Sequence, residues 1–381
     1  MTIAFYISGH GFGHASREVE IINALHIVRP DWRILIRSAV SPALLARSVN
    51  GPYQLIDGPC DTGIIQRSSV EHDDEATVRA ALDFYATFDL RVEEESRTLR
   101  ALGVTLIVAD IPPVAFAVGA RLGIPTVAIA NFTWDWIYET HPGFLPVGQE
   151  ILETIRTAYR SATLALELPF AGGFDLFAVV RPLPLVARRP TQGRTVTRRH
   201  FGLPETGRIA LLSFGGYGLP ELDLAAIDCR DHWTIATTDQ TSPGASAMPH
   251  VRFISSAALA SGAVRYEDLV AAVDVVITKP GYGIISECVA AGTPMVYTSR
   301  GHFREYDLLV DAMPSVLRCR YIERAELFAG RWREAIDGVL SQPDPPETMA
   351  TDGAEVAAEI LTEMNGSRPL RWTEPRASHK L

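Results

Sequence analysis

Cysteine is scarce in this 381-residue sequence and nowhere clustered. Cys60, Cys229, Cys288 and Cys319 lie far apart with no Cys-x-x-Cys pair. That argues against a disulfide framework or a thiolate zinc site and suits a reducing cytoplasm, the expected location. Long apolar runs are missing as well. None approaches the roughly 20 residues that span a bilayer, so no transmembrane segment is expected. Met1 leads straight into Thr2-Ile-Ala-Phe-Tyr-Ile-Ser8, without the basic front or the length of a signal-peptide core. Basic charge is in deficit: 35 Lys and Arg stand against 45 Asp and Glu, a formal net charge of −10. Nucleic acid is therefore not an expected partner. No repeat with a period of about 20–50 residues is visible, which sets solenoids and propellers aside.

What remains is an ordinary globular composition, 47% hydrophobic and 21% charged, at a length that suits two domains. Short β-rich apolar runs alternate with helical stretches. In the first half the runs Ile3–Ile7, Arg33–Arg37, Tyr53–Ile56, Thr105–Ala109 and Thr126–Ile129 read as strands. Helices are expected near 15–27, 41–49, 74–101 and 114–122, the third being one long surface helix or a helical pair. In the second half Ile209–Ser213, Trp233–Thr237, Val251–Ile254, Val275–Thr278 and Met295–Thr298 read as strands. Helices are expected near 266–272, 283–291, 304–312 and 323–341. This alternation predicts α/β architecture, with parallel sheets covered by helices on both faces. The boundaries expected are an N-terminal domain over 1–185, a linker over 186–207 and a second domain over 208–345. A helix over 346–364 and a disordered tail over 365–381 follow. The prolines and arginines around the linker predict an extended segment. Its arginines, Arg188, Arg189, Arg194, Arg198 and Arg199, are either solvated or an anion contact.

Three glycine-rich loops follow predicted strands. The first is Ser8-Gly9-His10-Gly11-Phe12-Gly13-His14-Ala15-Ser16-Arg17. Glycines permit close backbone approach, and Gly11 and Gly13 are placed to meet a ligand beyond a strand's carboxyl end. The spacing is not the dinucleotide fingerprint, and the Gly-Lys-Ser/Thr ending of a P-loop is missing. His14 falls in the first helical turn. It is either a general base for a hydroxyl or a brace for the loop. His10 is a weaker candidate for ligand contact, and the pair lacks a third ligand for a metal. The second loop, Lys279-Pro280-Gly281-Tyr282-Gly283 with Ser286-Glu287 in the next turns, offers a helix N-terminus to a diphosphate. Lys279 adds a point charge there, and Glu287 either binds a ribose diol or is a solvated helical carboxylate. The third, Ser213-Phe214-Gly215-Gly216, either wraps the phosphates or is a plain tight turn. The polar loop through Arg304-Glu305 is placed to touch a sugar. Asp110, Trp134 and Asp135 follow strands and either grip an acceptor, with His10, or pack the cleft.

These segments resemble a known family. Ser8–Arg17, Ala109-Asp-Ile-Pro-Pro-Val-Ala115, Asn131-Phe-Thr-Trp-Asp-Trp-Ile-Tyr138, Ser213–Gly216 and Lys279–Gly283 with Ser286-Glu287 resemble the glycosyltransferase-like N-terminal region of plant L-arabinokinases. The likeness runs in order over roughly residues 2–360. No Gly-Leu-Ser-Ser-Ser-type phosphate loop is present, so kinase activity is not expected. More distantly, the second half resembles family 28 glycosyltransferases such as the peptidoglycan N-acetylglucosaminyltransferase. The resemblance implies the GT-B fold, two Rossmann-like domains facing across a cleft. It implies a nucleotide-sugar donor, UDP-linked, and a sugar, lipid or small-molecule acceptor. It also implies His14 as base, Gly215 and Gly216 at the diphosphate, Glu287 at the ribose, and the backbone of Phe253 and Ile254 at the nucleobase. Where the family carries Gln-Gln or Asp-Gln against the donor sugar, this chain has Arg304-Glu305. The expected activity is inverting, metal-independent transfer of a hexose or pentose with no cofactor, consistent with the absence of any Asp-x-Asp. The alternatives are a non-catalytic nucleotide-sugar-binding module and an epimerase or hydrolase of nucleotide sugars.

Overall fold

A computed structural model describes residues 1–364 except 11, 69–70, 216–218, 220–221, 230–231, 239–247, 260–261, 263 and 302. The expectations placed on Gly11, Gly216 and the tail 365–381 lie outside the described residues.

The strands are β1 (Thr2–Ile7), β2 (Arg33–Ser38), β3 (Tyr53–Asp57), β4 (Gln66–Ser68), β5 (Glu71–His72), β6 (Leu106–Asp110), β7 (Thr126–Phe132), β8 (Leu164–Gly172), β9 (Val180–Pro182), β10 (Arg208–Ser213), β11 (Trp233–Thr237), β12 (Val251–Phe253), β13 (Val275–Thr278), β14 (Met295–Tyr297) and β15 (Cys319–Tyr321). Seven of them form one sheet in the order β3-β2-β1-β6-β7-β8-β9, and six form another in the order β12-β11-β10-β13-β14-β15. Every pairing in both sheets is parallel. β4 and β5 make a separate antiparallel hairpin.

Parallel sheets must be covered on both faces, and β1 shows how. Ala4 and Tyr6 point into one apolar cluster while Ile3, Phe5 and Ile7 point into another, and all five are fully buried. The helix Phe12–Val28 lays Ala15, Val19 and Ile22 on the second cluster at helical spacing. The last helix, Gly353–Met364, joins that same cluster through Ala354, Ala357, Ala358 and Leu361. The chain therefore crosses from the first sheet to the second and returns. The two passes meet where Val186 bridges Asp352 and Gly353 N–H donates to the Leu185 carbonyl at 3.0 Å.

Both sheets reverse direction of growth at one point. From β1 the chain builds β2 and β3 to one side, then β6 to the other. From β10 it builds β11 and β12, then β13 on the opposite flank. Ligands of open α/β sheets bind at such switch points, beyond the strands' carboxyl ends. The registers Ile7↔Asp110 and Ser213↔Thr278 bring the loops that carry the glycine motifs to those two points.

Of the two forms expected for 74–101 the helical pair is the one formed, Asp74–Tyr85 and Phe88–Ala101, the first capped by Asp73 accepting from Ala76 N–H at 3.0 Å. Other elements differ from the sequence expectation. The segment 323–341 is two helices, Arg324–Phe328 and Arg333–Leu340. β8 is absent from the sequence reading, because Pro169 inside the run argues against a strand. The expected extended linker contains a helix, Arg194–His200, whose Arg198 is buried and donates to the Ala272 carbonyl at 2.8 Å and to Asp274 at 3.0 Å. That helix is docked on the second sheet's layer rather than solvated. Among the described residues no helix is long and apolar enough to cross a membrane.

Candidate functional site

At the first switch point the helix Phe12–Val28 begins against the end of β6. His14 Nδ1 lies 3.0 Å from Asp110 Oδ1. Arg17, one turn on, donates from Nε to Asp110 Oδ2 at 3.0 Å, from Nη2 to the same oxygen, and from Nη1 to Asn131 Oδ1. Asp110 is wholly buried, and the His14 side chain is 11% exposed. Burial pushes the Asp110 carboxyl up, but the charges and hydrogen bonds of Arg17 and His14 outweigh it and hold it below the usual carboxylate range. Nearby Glu18 is buried with no hydrogen-bond partner among the described residues, and burial raises its carboxyl well above the ordinary value.

Asp110, expected on the acceptor side, instead fixes His14. Asp110 ends β6 opposite Ile7, the last residue of β1, so its side chain falls beside the loop that follows β1. With a carboxylate on Nδ1, Nε2 is the ring nitrogen left for a substrate proton. The carboxylate also sets the tautomer and stabilises the imidazolium that forms.

The remaining acceptor-side candidates gather around a residue absent from the sequence reading, Asp61. His10 Nε2 lies 3.5 Å from Asp61 Oδ1, Ser8 Oγ donates to Oδ1 at 3.1 Å, and Trp134 Nε1 donates to Oδ2 at 2.9 Å. Trp134 is buried and stacks on Tyr138 at 5.6 Å, so it packs the cleft floor. Asp135 is buried with its carboxyl raised by burial, and Arg156 sits 3.5 Å away. Gly63 closes this loop at φ +55°, and a Cβ there would come within 2.3 Å of the His10 ring. Gly63→Ala is expected to cost about 1–2 kcal/mol from left-handed strain alone, with displacement of His10 on top. Urea unfolding of the variant checks it.

At the second switch point the helix Tyr282–Ala291 starts after Gly281. Its start meets that of the helix Phe12–Val28 directly: a Cβ on Gly283 would lie 3.9 Å from the Gly13 Cα. The hydroxyl of Tyr282 donates across the cleft to the Phe170 carbonyl at 3.1 Å. Lys279 is mostly buried at the end of β13, and burial followed by the charge of Arg300 pushes its pKa down to about 7. Gly215 and the stretch through Phe253 and Ile254 follow β10 and β12 on the same edge of the sheet.

No family model matches the chain. It is 28% identical over 382 residues to an L-arabinokinase of Arabidopsis thaliana, covering 95% of this chain but 34% of that protein. The chain thus spans about a third of that relative's length. It is also 26% identical over 298 residues to an uncharacterized glycosyltransferase of Methanopyrus kandleri, covering 74% of this chain and 80% of that one. Among solved structures, the glycotransferase of kitacinnamycin superposes with a TM-score of 0.63 at 17% identity, over 95% of this chain and 98% of that one. A UDP-glucose: anthocyanidin 3-O-glucosyltransferase in complex with UDP superposes with a TM-score of 0.61 at 14% identity, over 96% and 95%. The spinosyn rhamnosyltransferase SpnG complexed with thymidine diphosphate gives 0.59 at 14% identity, over 95% of each. The fold is GT-B.

Within this GT-B glycosyltransferase-like chain, two expected donor residues sit in unexpected company. Glu287 is buried, and Arg188 from the crossing segment donates to its Oε1 from Nε at 2.7 Å and again from Nη2. Glu267 and the Tyr266 ring complete the box around Arg188, at 3.7 Å and 5.5 Å. Burial pushes the Glu287 carboxyl up, and Arg188 only partly reverses that. Ser286 turns back to donate to the Tyr282 carbonyl at 2.8 Å. Arg304 crosses the GT-B cleft, lies over the Trp136 ring at 4.3 Å, and donates to the Trp136 carbonyl and to Glu139 Oε1, the latter at 2.5 Å. Its neighbour Glu305 is buried beside Arg300, at 3.5 Å. Nothing in the residue order reveals Arg304's partner, because Glu139 lies 165 positions away.

Proposed function

We propose that the chain transfers a sugar from a nucleoside-diphosphate donor, UDP-linked, to the hydroxyl of a sugar, lipid or small-molecule acceptor. Transfer inverts the anomeric carbon and needs neither metal nor cofactor. The observation that carries this reading is the His14–Asp110 pair at one switch point, set against the glycine-led helix start at the other. His14 Nε2 accepts the acceptor's hydroxyl proton as its oxygen attacks the anomeric carbon. The bond to the diphosphate breaks on the opposite side. The departing charge is met by the helix N-terminus at Gly281–Gly283 and by Lys279. Glu287 binds the ribose hydroxyls, a role compatible with Arg188 because both of its bonds fall on Oε1. Two structural neighbours, one in complex with UDP and one with thymidine diphosphate, support a nucleotide in this cleft.

The test is a thermal-shift titration with UDP, GDP, TDP and ADP, with and without magnesium. A ligand at about 100 times its dissociation constant adds about 2.7 kcal/mol. Stabilisation by UDP without magnesium is expected, and Glu287→Ala should abolish most of it. Equal stabilisation of the variant would remove Glu287 from the ribose site. A shift with no nucleotide would sink the donor reading altogether. A second reading, a binding module without turnover, is favoured by one feature: Arg304 and Glu139 tie the cleft shut. Tight UDP-sugar binding with neither transfer nor UDP release would establish it.

A further inference from the structure

The cleft holds a polar cluster that the transfer chemistry above does not use. It lies where the β4–β5 hairpin of the first sheet's domain meets the loop after β14. Arg300 is 11% exposed, with its guanidinium carbon over the Phe303 ring at 3.6 Å from the centroid. Its Nη1 makes only long contacts, to the Pro280 carbonyl at 3.4 Å and to Glu305 Oε1 at 3.5 Å. From the other domain, His72 meets the edge of the same Phe303 ring at 3.6 Å. Three buried polar atoms here have no hydrogen-bond partner among the described residues: Arg300 Nε, His72 Nε2 and Glu305 Oε2. Buried polar atoms are ordinarily paired, so three orphans around one ring mark a place built for a polar ligand.

The charge balance says which kind. Arg300 and Lys279 are both largely removed from water, and Lys279 sits in the field of Arg300. Burial pushes Arg300 below its ordinary value, and Glu305 does not restore it. His72 is pushed down to about 4, by burial first and by Arg300 second. The cluster is therefore short of negative charge. One anion, the donor diphosphate, is already assigned to Lys279 and the helix start at Gly281–Gly283. Arg300 Nη1 lies 3.4 Å from the Pro280 carbonyl, just ahead of that helix. The Phe303 ring beneath the guanidinium holds it in place with Nε unpaired, and an arginine N–H edge grips a planar carboxylate.

We propose that the sugar on the donor is acidic, a uronic acid whose carboxylate is received by Arg300 with His72 beside it. Glu305 Oε2 accepts from a neighbouring sugar hydroxyl. This rests on the nucleotide-sugar reading and specifies its substrate class. Arg300 then determines specificity, and the His72 hairpin completes the site only when the two domains are together.

Isothermal titration of the full chain tests it, with UDP, UDP-glucose, UDP-galactose, UDP-glucuronate and UDP-galacturonate as probes. At least one uronate is expected to bind about tenfold or more tightly than its neutral counterpart, since charge-assisted hydrogen bonds are the strong ones. Arg300→Gln should bring that pair within about twofold, while Arg300→Lys, which keeps charge and loses the fork, should retain part of the preference. An unchanged melting temperature shows that the variants are folded. The proposal is overturned if neither uronate outbinds its neutral partner. It is also overturned if Arg300→Gln weakens UDP itself by the same factor, which would give the arginine to the diphosphate. If UDP and all four sugars fail to bind, the nucleotide-sugar reading falls and the proposal with it. UDP binding without a uronate preference leaves that reading standing and removes only the acidic sugar.

Discussion

Replacing His14 by alanine is expected to cut sugar-transfer turnover by about 10²–10⁴-fold, the usual worth of a general base, while UDP affinity stays within about threefold. The two halves of this outcome come from different parts of the cleft. On the proposed mechanism the hydroxyl proton goes to His14, whose Nδ1 is 3.0 Å from Asp110. On the same proposal the nucleotide meets the second sheet's loops instead. Steady-state transfer assays and UDP titrations on the same preparation separate the two. Turnover within about threefold of wild type would reduce His14 to a brace for its loop. A parallel loss of UDP binding would mean that the ring holds the two helix starts in place, which come so close that a Cβ on Gly283 would lie 3.9 Å from the Gly13 Cα.

Much of the scaffold is legible in the residue order because parallel strands leave a plain mark. Ile3–Ile7 and Val275–Thr278 are continuous apolar runs, since both faces of each are covered. The glycine loops that end them are equally plain. What is hidden is whatever depends on register or on distant partners. The apolar run Leu106–Ala109 and the aspartate that ends it mark a strand, but they do not say that the carboxylate meets the ring of His14, 96 positions away. Asp61 sits in a loop after β3 with no motif around it, yet three side chains from two separate segments converge on it.

The arginines show the same limit from the other side. Arg188 belongs to a segment whose composition suggests a solvated linker, but the crossing of the chain beneath the cleft lays it on Glu287. Arg304 stands at a family sugar position, but its length lets it reach Trp136 and Glu139 across the gap. Its helix neighbour Arg300 is a residue that sequence pattern did not single out. Its significance comes from an aromatic ring beneath it and from a hairpin contributed by the other domain. Long, flexible side chains choose partners in three dimensions, and only the short-range part of that choice is written in spacing.

The second large effect is expected at Asp110, and it splits into catalysis and stability according to the replacement. Asp110→Ala leaves Arg17 buried with only Asn131 to hold it. Breaking a buried pair by removing one partner costs about 3–5 kcal/mol. Asp110→Asn keeps the shape and part of the hydrogen bonding, so it should fold better than the alanine variant. Turnover should nevertheless fall by roughly 10²–10⁴-fold, because the amide no longer sets the ring tautomer or stabilises imidazolium. The carboxylate also makes a signed contribution to acid stability. Its folded pKa lies below the ordinary value, by the direction fixed through Arg17 and His14. The unfolded chain therefore takes up the proton first. The stabilisation is fully present above the unfolded pKa of about 3.9 and is lost as pH falls through the lower folded value. Glu18, with its carboxyl raised by burial, contributes with the opposite slope, so a single acid titration mixes the two. The difference between the Glu18→Gln and Glu18→Gln/Asp110→Asn unfolding curves isolates the Asp110 part, because the Asp110 charge itself helps to raise Glu18. That difference should be constant at neutral pH and shrink only below about pH 4. A difference that does not shrink in acid would mean that Asp110 is already protonated in the folded protein, and His14 would then lack the charge that makes it a base.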